Sequence, residues 1–154
     1  MARTRTLIFA DTAATSRFGA GLAACLSAGD TVLLQGDLGT GKTTLARAVI
    51  AQLCGVEDAP SPTYTLIQTY DTAAGEELWH ADLYRIEDPS ELDELGLDDA
   101  FEDAICLIEW PDRLGDAVPA DRLEIALAAG EGLDDGREAR ITGFGRWEDR
   151  IDDI

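Results

Sequence analysis

The pattern of apolar and polar positions along the chain predicts seven short strands. A short apolar run bounded by Gly-Asp and Gly, residues 31–35, is typical of a buried strand. A second apolar run, residues 104–108, ends in Glu109. Paired runs separated by turn residues indicate hairpins. The predicted strands are residues 4–9, 31–35, 64–70, 77–84, 104–108, 122–127 and 138–142.

Apolar residues at helical spacing, together with capping residues, predict the helices. Asp11 is placed to cap a first helix that continues to about Ala28. The other helices are predicted from Thr43 to about Leu53, from Pro89–Ser90 to Leu95, for a turn after Gly96, and in the tail from Arg146. This order predicts an α/β fold in one domain, residues 1–154, with a central mixed sheet flanked by helices. Buried parallel strands are expected in the middle of the sheet and antiparallel hairpins at its edges.

The net charge of −19, from 12 basic and 31 acidic residues, limits the partners of the protein. Such a surface repels phosphate backbones and anionic membranes, so we expect no strong direct binding of nucleic acid and no membrane association. The segment from Glu87 to Asp103 holds nine carboxylates and no basic residue, which makes it a candidate docking surface for a basic partner. A solvated helical face that keeps the protein soluble is the alternative.

The cysteines indicate a reduced compartment. Cys25, Cys54 and Cys106 are far apart and odd in number, which argues against a disulfide framework or a zinc site. The first residues lack the apolar region of a signal peptide, and no run is long enough to span a bilayer. The sequence therefore predicts a cytoplasmic protein.

The segment between the first buried strand and the second helix matches the pattern Gly-x-x-x-x-Gly-Lys-Thr, the P-loop of nucleotide-binding proteins. Glycines let the backbone wrap around an anion, and the helix adds its positive end. Lys42, the only lysine of the chain, is predicted to reach the β and γ phosphates, and Thr43 to ligate magnesium. The predicted nucleotide-binding residues are Gly36, Asp37, Leu38, Gly39, Thr40, Gly41, Lys42, Thr43 and Thr44.

Two carboxylates are candidates for the second magnesium contact, which a P-loop takes from the end of a neighbouring strand. Glu109 directly follows five apolar residues; the alternative is a strand-end glutamate already in solvent. Asp82 shares one face of its strand with His80 and Tyr84 by alternation. That face is either part of a site or the solvated side of an edge hairpin.

The loop Ser61–Leu66 follows the P-loop helix, where hydroxyls of Ser61 and Thr63 could reach the metal or the γ-phosphate. The alternative is an ordinary turn, which a proline-containing loop with hydroxyls more often is. The chain contains no asparagine and no second lysine, so it cannot form the Asn-Lys-x-Asp box by which many GTPases read guanine. Adenine is therefore the favoured base, and ATP with magnesium the expected cofactor pair.

Several segments together resemble the bacterial TsaE family, also called YjeE, over about Thr6 to Thr142. They are Gly36-Asp-Leu-Gly-Thr-Gly-Lys-Thr-Thr44, Ser61-Pro-Thr-Tyr-Thr-Leu66, His80-Ala-Asp-Leu-Tyr-Arg85, Glu94-Leu-Gly-Leu-Asp-Asp99 and Ile108-Glu-Trp-Pro111. The resemblance implies a small ATPase, weak on its own, required for threonylcarbamoyladenosine modification of tRNA. It also implies the partner proteins TsaB and TsaD, of which TsaD transfers the threonylcarbamoyl group.

The resemblance also implies roles for individual residues. Thr43 and Glu109 would ligate magnesium, and Asp82 would be needed for hydrolysis. Lys42, Asp82 and Glu109 are thus the expected catalytic residues. Trp110 would lie close to the nucleotide, which Thr12 and Arg137 would contact from the far side.

Two other functions compete with this ATPase subunit. A small-molecule P-loop kinase usually has an arginine-rich lid, whereas the insert after the second predicted hairpin strand is acidic. A non-catalytic ATP-binding scaffold would bind the nucleotide without a single turnover in the presence of its partners.

Overall fold

The computed structural model describes residues 2–36, 41–57, 59–60, 62, 66–88, 90–130 and 136–154. The strands within these residues are β1 (Arg3–Phe9), β2 (Thr31–Gln35), β3 (Ile67–Asp71), β4 (Glu77–Asp82), β5 (Ile105–Glu109), β6 (Arg122–Ala129) and β7 (Arg137–Phe144). They form one sheet in the order β1-β7-β6-β2-β5-β4-β3. The predicted α/β fold with a mixed sheet is confirmed.

Most strands of the sheet point the same way. Strand β2 pairs in parallel with both β5 and β6, and β4 pairs in parallel with β5. The antiparallel partners β7 and β3 run in the opposite direction, and β1 is antiparallel to β7. The carboxyl ends of β1, β2, β4, β5 and β6 therefore lie at one edge, here called the carboxyl edge; the opposite side is the amino edge.

Helices cover both faces of the sheet. They are α1 (Thr12–Ala23), α2 (Lys42–Cys54), α3 (Ser90–Leu95) and α4 (Leu97–Asp103), with 3₁₀ turns at Pro111–Ala117, Gly145–Glu148 and Ile151–Asp153. Helices α1 and α2 pack on one face, and the side chains of α3 and α4 on the other. The two larger helices approach closely at Gly19, where an added Cβ would lie 2.7 Å from Cβ of Ala48.

The apolar run of β2 has two buried faces. Val32 and Leu34 belong to the core beneath α1 and α2, while Leu33 belongs to the core beneath α3 and α4. Strand β5 divides in the same way, with Leu107 on the first side and Ile108 on the second. Continuous hydrophobicity in these two strands thus reflects their central position between two helical layers.

Several predicted boundaries differ from those of the structure. Helix α1 ends at Ala23 and not near Ala28, because the backbone N–H of Ser27 donates to the carboxylate of Asp30 at 2.9 Å and the chain turns toward β2. Strand β4 ends at Asp82 and not at residue 84, since Asp82 Oδ1 accepts the N–H of Tyr84. Strand β3 begins at Ile67, after Leu66 with φ 67°; the predicted start at residue 64 lies outside the described residues.

The cysteines are free thiols, as predicted. Cys106 lies in the middle of β5, where burial, with a smaller contribution from Glu77, raises the pKa of its thiol to about 12. Within the described part of the chain, no helix has both the length and the apolar character needed to cross a bilayer.

Candidate functional site

The predicted P-loop connects the carboxyl end of β2 to the start of α2. Gly36 follows the strand with φ 142°, and Gly41 precedes the helix with φ 98°, a left-handed conformation that favours glycine. Asp37, Leu38, Gly39 and Thr40 lie outside the described residues. The strand and the helix on either side of the motif are in place, so the N–H groups of the first turn of α2 face the carboxyl edge.

Lys42 is held against its own loop and a neighbouring aromatic ring. Its side chain is buried, with 5% of the residue exposed. Its Nζ donates to the carbonyl oxygen of Gly36 at 2.5 Å and lies 3.8 Å from the centroid of the Trp110 ring. A carbonyl dipole and a ring face stabilise an ammonium partially, and an anion at the carboxyl edge would do so more strongly.

Glu109 is a buried carboxylate at the end of β5, with 3% of the residue exposed. The hydroxyl of Thr43 lies 3.2 Å from Oε1 and 3.5 Å from Oε2. Nε2 of His80 lies 2.6 Å from Oε2. The alternative of a strand-end glutamate in solvent is therefore wrong, and the structure joins Glu109 to the first turn of α2.

Asp82 stands beside Glu109 in the sheet. The two residues are directly paired in the parallel ladder of β4 and β5. Both His80 and Asp82 are buried, because β4 is an interior strand between β5 and β3. The interpretation of this face as the solvated side of an edge hairpin is therefore wrong.

Tyr84 does not continue the face of His80 and Asp82. It follows the end of β4, is 45% exposed, and its ring lies 4.9 Å from that of Trp110. Trp110 thus lies between an exposed aromatic ring and the ammonium of Lys42.

Backbone strain is concentrated beside the two carboxylates. Among the described residues, the non-glycine positions with positive φ are Leu66 and Trp110. Trp110 directly follows Glu109, and the carbonyl of Leu66 accepts the N–H of Asp82 at 2.8 Å. Such conformations cost about 1–3 kcal/mol each and persist where the surroundings enforce them, often at functional sites.

The remaining predicted ligand contacts are more distant in the sheet. Thr12 opens α1 after the carboxyl end of β1, and Arg137 begins β7 opposite Phe9. Both lie at the carboxyl edge, but strand β6 separates them from β2 and the P-loop. Their contact with a nucleotide therefore stays a prediction. Thr44 lies in the first turn of α2. Ser61 and Thr63 lie outside the described residues.

The oxygen atoms of Thr43 and Glu109 fit a small divalent cation. Magnesium takes oxygen ligands at about 2.0–2.1 Å in octahedral geometry, which sets neighbouring ligands roughly 3 Å apart. Thr43 Oγ1 and Glu109 Oε1 are 3.2 Å apart. Within the described part of the chain, no group of three His, Cys, Asp or Glu side chains is arranged to hold a metal. A cation here would therefore need further oxygens from its ligand, as phosphates provide in P-loop sites.

The contact between His80 and Glu109 was missed by the sequence reasoning. Alternation had placed His80 on the face of Asp82, but nothing in the sequence set the register of β4 against β5. The sequence signal that could have found it is a histidine between apolar residues of a strand, because a buried imidazole needs a polar partner.

Comparison with known proteins gives consistent results. The family described as "Threonylcarbamoyl adenosine biosynthesis protein TsaE" matches residues 9–139. A Rickettsia bellii protein named "tRNA threonylcarbamoyladenosine biosynthesis protein TsaE" is 40% identical over 129 residues, 83% of this chain and 88% of that protein. A Streptomyces coelicolor protein of the same name is 36% identical over 84% of this chain and 90% of its own.

A solved structure supports the same relationship. The crystal structure of YdiB from Bacillus subtilis superposes with a TM-score of 0.80 at 29% identity, covering 98% of this chain and 93% of that one. The matched family segment, residues 9–139, contains the P-loop motif, both buried carboxylates and Trp110. Because the sequence match covers most of the chain and the fold agrees over nearly its whole length, the chain belongs to the TsaE family.

Proposed function

We propose that this protein is an ATP-binding, magnesium-dependent ATPase subunit that serves the threonylcarbamoyladenosine modification of tRNA. The observation that carries the proposal is the contact between the first turn of α2 and the end of β5, where the Thr43 hydroxyl meets the Glu109 carboxylate beside Lys42. A magnesium-bound nucleoside triphosphate would suit these groups, because its phosphates are negatively charged and its cation takes oxygen ligands.

Each residue has a part that follows from its chemistry. The ammonium of Lys42, once it leaves the Gly36 carbonyl and the Trp110 face, would neutralise charge on the β and γ phosphates. Thr43 and Glu109 would hold the cation through their oxygens. When bound, magnesium neutralises phosphate charge and lowers the barrier to displacement at the γ-phosphate. Asp82, beside Glu109, would orient the attacking water or accept its proton.

The family assignment supports the substrate pathway and the partners. Relatives carry the pathway in their names, and we infer that this chain acts in the cytoplasm with TsaB and TsaD, which would hold the tRNA. A net charge of −19 disfavours binding of tRNA to this chain and so supports the proposal that another subunit binds the tRNA. The helices α3 and α4 offer an acidic surface to a basic partner. Co-purification of TsaB and TsaD, with and without ATP, tests the association.

Replacement of the only lysine tests the ATPase. Lys42→Ala should leave the fold intact and reduce hydrolysis in the presence of the partners by about 10²–10³-fold, since one preorganised charge contributes roughly that much. Arg17→Ala is the matched control, because Arg17 is exposed on α1 and removes the same charge elsewhere. Hydrolysis that is unchanged in Lys42→Ala, measured as phosphate release, would contradict the proposal.

A further inference from the structure

His80 is the only histidine of the chain and is fully buried at 0% exposure. It lies in the interior strand β4, opposite Leu107 in the parallel ladder. Leu78 and Leu107, its neighbours on this side of the sheet, belong to the core beneath α1 and α2. The imidazole therefore sits in apolar surroundings and extends along the sheet toward the carboxyl edge, where Nε2 meets Oε2 of Glu109 at 2.6 Å.

Within the described residues, the imidazole of His80 makes one hydrogen bond, between Nε2 and Glu109. A carboxylate only accepts hydrogen bonds, so Nε2 carries the hydrogen and donates it. The other ring nitrogen, Nδ1, is buried and has no hydrogen-bond partner among the described residues. A buried polar atom without a partner is destabilising. A histidine kept only for packing would be expected to satisfy both nitrogens or to be replaced by an apolar residue.

The contact fixes the orientation of the Glu109 carboxylate. Thr43 lies 3.2 Å from Oε1 and 3.5 Å from Oε2, and its hydroxyl can rotate. By itself it would leave the terminal torsion of the glutamate loosely defined, because that torsion has a broad minimum. His80 holds Oε2 from the interior of the sheet, which directs Oε1 toward Thr43 and the first turn of α2.

We propose that His80 is a positioning residue, which holds Glu109 through the Nε2–H···Oε2 hydrogen bond so that the carboxylate is preoriented for the divalent cation of the nucleotide. This inference rests on the proposed function and adds a specific residue to it. Groups that orient ligating side chains in this way typically contribute about 10–100-fold to metal affinity. The effect should therefore appear in magnesium-dependent binding and not in nucleotide binding as a whole.

Two amide variants separate positioning from packing. The side-chain nitrogen of glutamine reaches about as far as Nε2 of histidine, and that of asparagine only about as far as Nδ1. Both His80→Gln and His80→Asn place a neutral amide in the same core, but only glutamine can donate to Glu109. The affinity for ATP is measured by calorimetry with and without magnesium, alongside the thermal unfolding midpoint of each variant.

His80→Asn should lower the affinity for ATP in magnesium by about 10–100-fold, while His80→Gln should stay within about threefold of the wild type. Binding without magnesium should be alike in all three. Equal losses in both variants, or losses that are the same with and without magnesium, would overturn the proposal and leave His80 a packing residue. A wild-type chain that binds no ATP at all would instead overturn the proposed function itself.

A double-mutant cycle tests whether the two His80 variants act through Glu109. In the background of Glu109→Gln, the magnesium-dependent difference between His80→Gln and His80→Asn should disappear, since both act through the Glu109 carboxylate. A difference that persists at its full size in that background would show that His80 acts by another route and would overturn the proposal.

Discussion

The two edges of the sheet each bury a carboxylate but stabilise it in different ways. Asp30 lies at the amino edge and is 1% exposed. Its carboxylate accepts hydrogen bonds from Nη1 of Arg150 and from the N–H of Ser27, each at 2.9 Å. Glu109 lies at the carboxyl edge, where its carboxylate contacts the His80 ring and accepts from the Thr43 hydroxyl. Among the described residues it has no ion pair with lysine or arginine.

This difference indicates that the charge of Asp30 is structural, whereas the charge of Glu109 is suited to binding a ligand. A buried carboxylate without a cation is costly unless something compensates its charge. Arg150 compensates Asp30 permanently, since it belongs to the same chain and packs on the Trp147 ring. Among the described residues, Glu109 has donors that orient it but no lysine or arginine that neutralises it. A divalent cation that arrives with the nucleotide would complete the carboxyl edge in the way that arginine completes the amino edge.

The largest expected effect is on stability at the amino edge. Asp30→Ala should lower the free energy of unfolding by about 3 kcal/mol, because it removes a buried carboxylate that accepts from Arg150 and leaves the N–H of Ser27 without its partner. Urea denaturation measures this directly. Asp152→Ala is the control: it breaks the exposed pair with Arg3 and should cost at most about 1 kcal/mol. Similar losses in both variants would show that the burial of Asp30 contributes nothing.

At the carboxyl edge we expect a substitution to reduce the rate of ATP hydrolysis with little loss of stability. Asp82→Asn keeps the size of the side chain and the acceptor for the N–H of Tyr84, but loses the negative charge. Single-turnover hydrolysis with the partners present should fall by about 10²-fold or more, as expected when a positioned proton acceptor is removed. The affinity for ATP with magnesium should change by only a few-fold. A larger loss of affinity than of rate would assign cation binding to Asp82.

Cys106 sharpens the comparison because it is a buried titratable group in the middle of β5, away from both edges. Burial raises its pKa to about 12 from an ordinary value of 9.0, so it stays protonated in the folded protein. Above pH 9 the unfolded chain loses this proton while the folded chain keeps it, and stability should therefore fall as the pH rises toward 12. Urea denaturation from pH 7 to 10.5 should show a shallower fall in Cys106→Ala than in the wild type. An identical slope in the two would contradict the assignment.

The sequence predicted the elements of this fold better than their contacts. Apolar runs and the glycine-bounded motif identified β2, β5 and α2, because burial on two faces and a glycine loop leave strong local patterns. The interior position of β4 could not be read in the same way: strand order depends on pairing between distant segments, and alternation in β4 fits an edge or an interior strand. The contact of His80 with Glu109 and the early end of α1, before the turn that Asp30 stabilises through Ser27, both depend on such distant or side-chain contacts.

The most direct test of the account is the shift in thermal unfolding midpoint on adding ATP, with and without magnesium, in Glu109→Gln and Asp30→Asn. A ligand that binds only the folded state raises this midpoint, and at a fixed concentration the rise grows with the logarithm of its affinity. Asp30→Asn should begin with a lower midpoint and keep the magnesium-dependent part of the shift. Glu109→Gln should begin near the wild-type midpoint and lose that part. A full magnesium-dependent shift in Glu109→Gln, or its loss in Asp30→Asn alone, would contradict the distinction between a structural and a ligand-directed carboxylate.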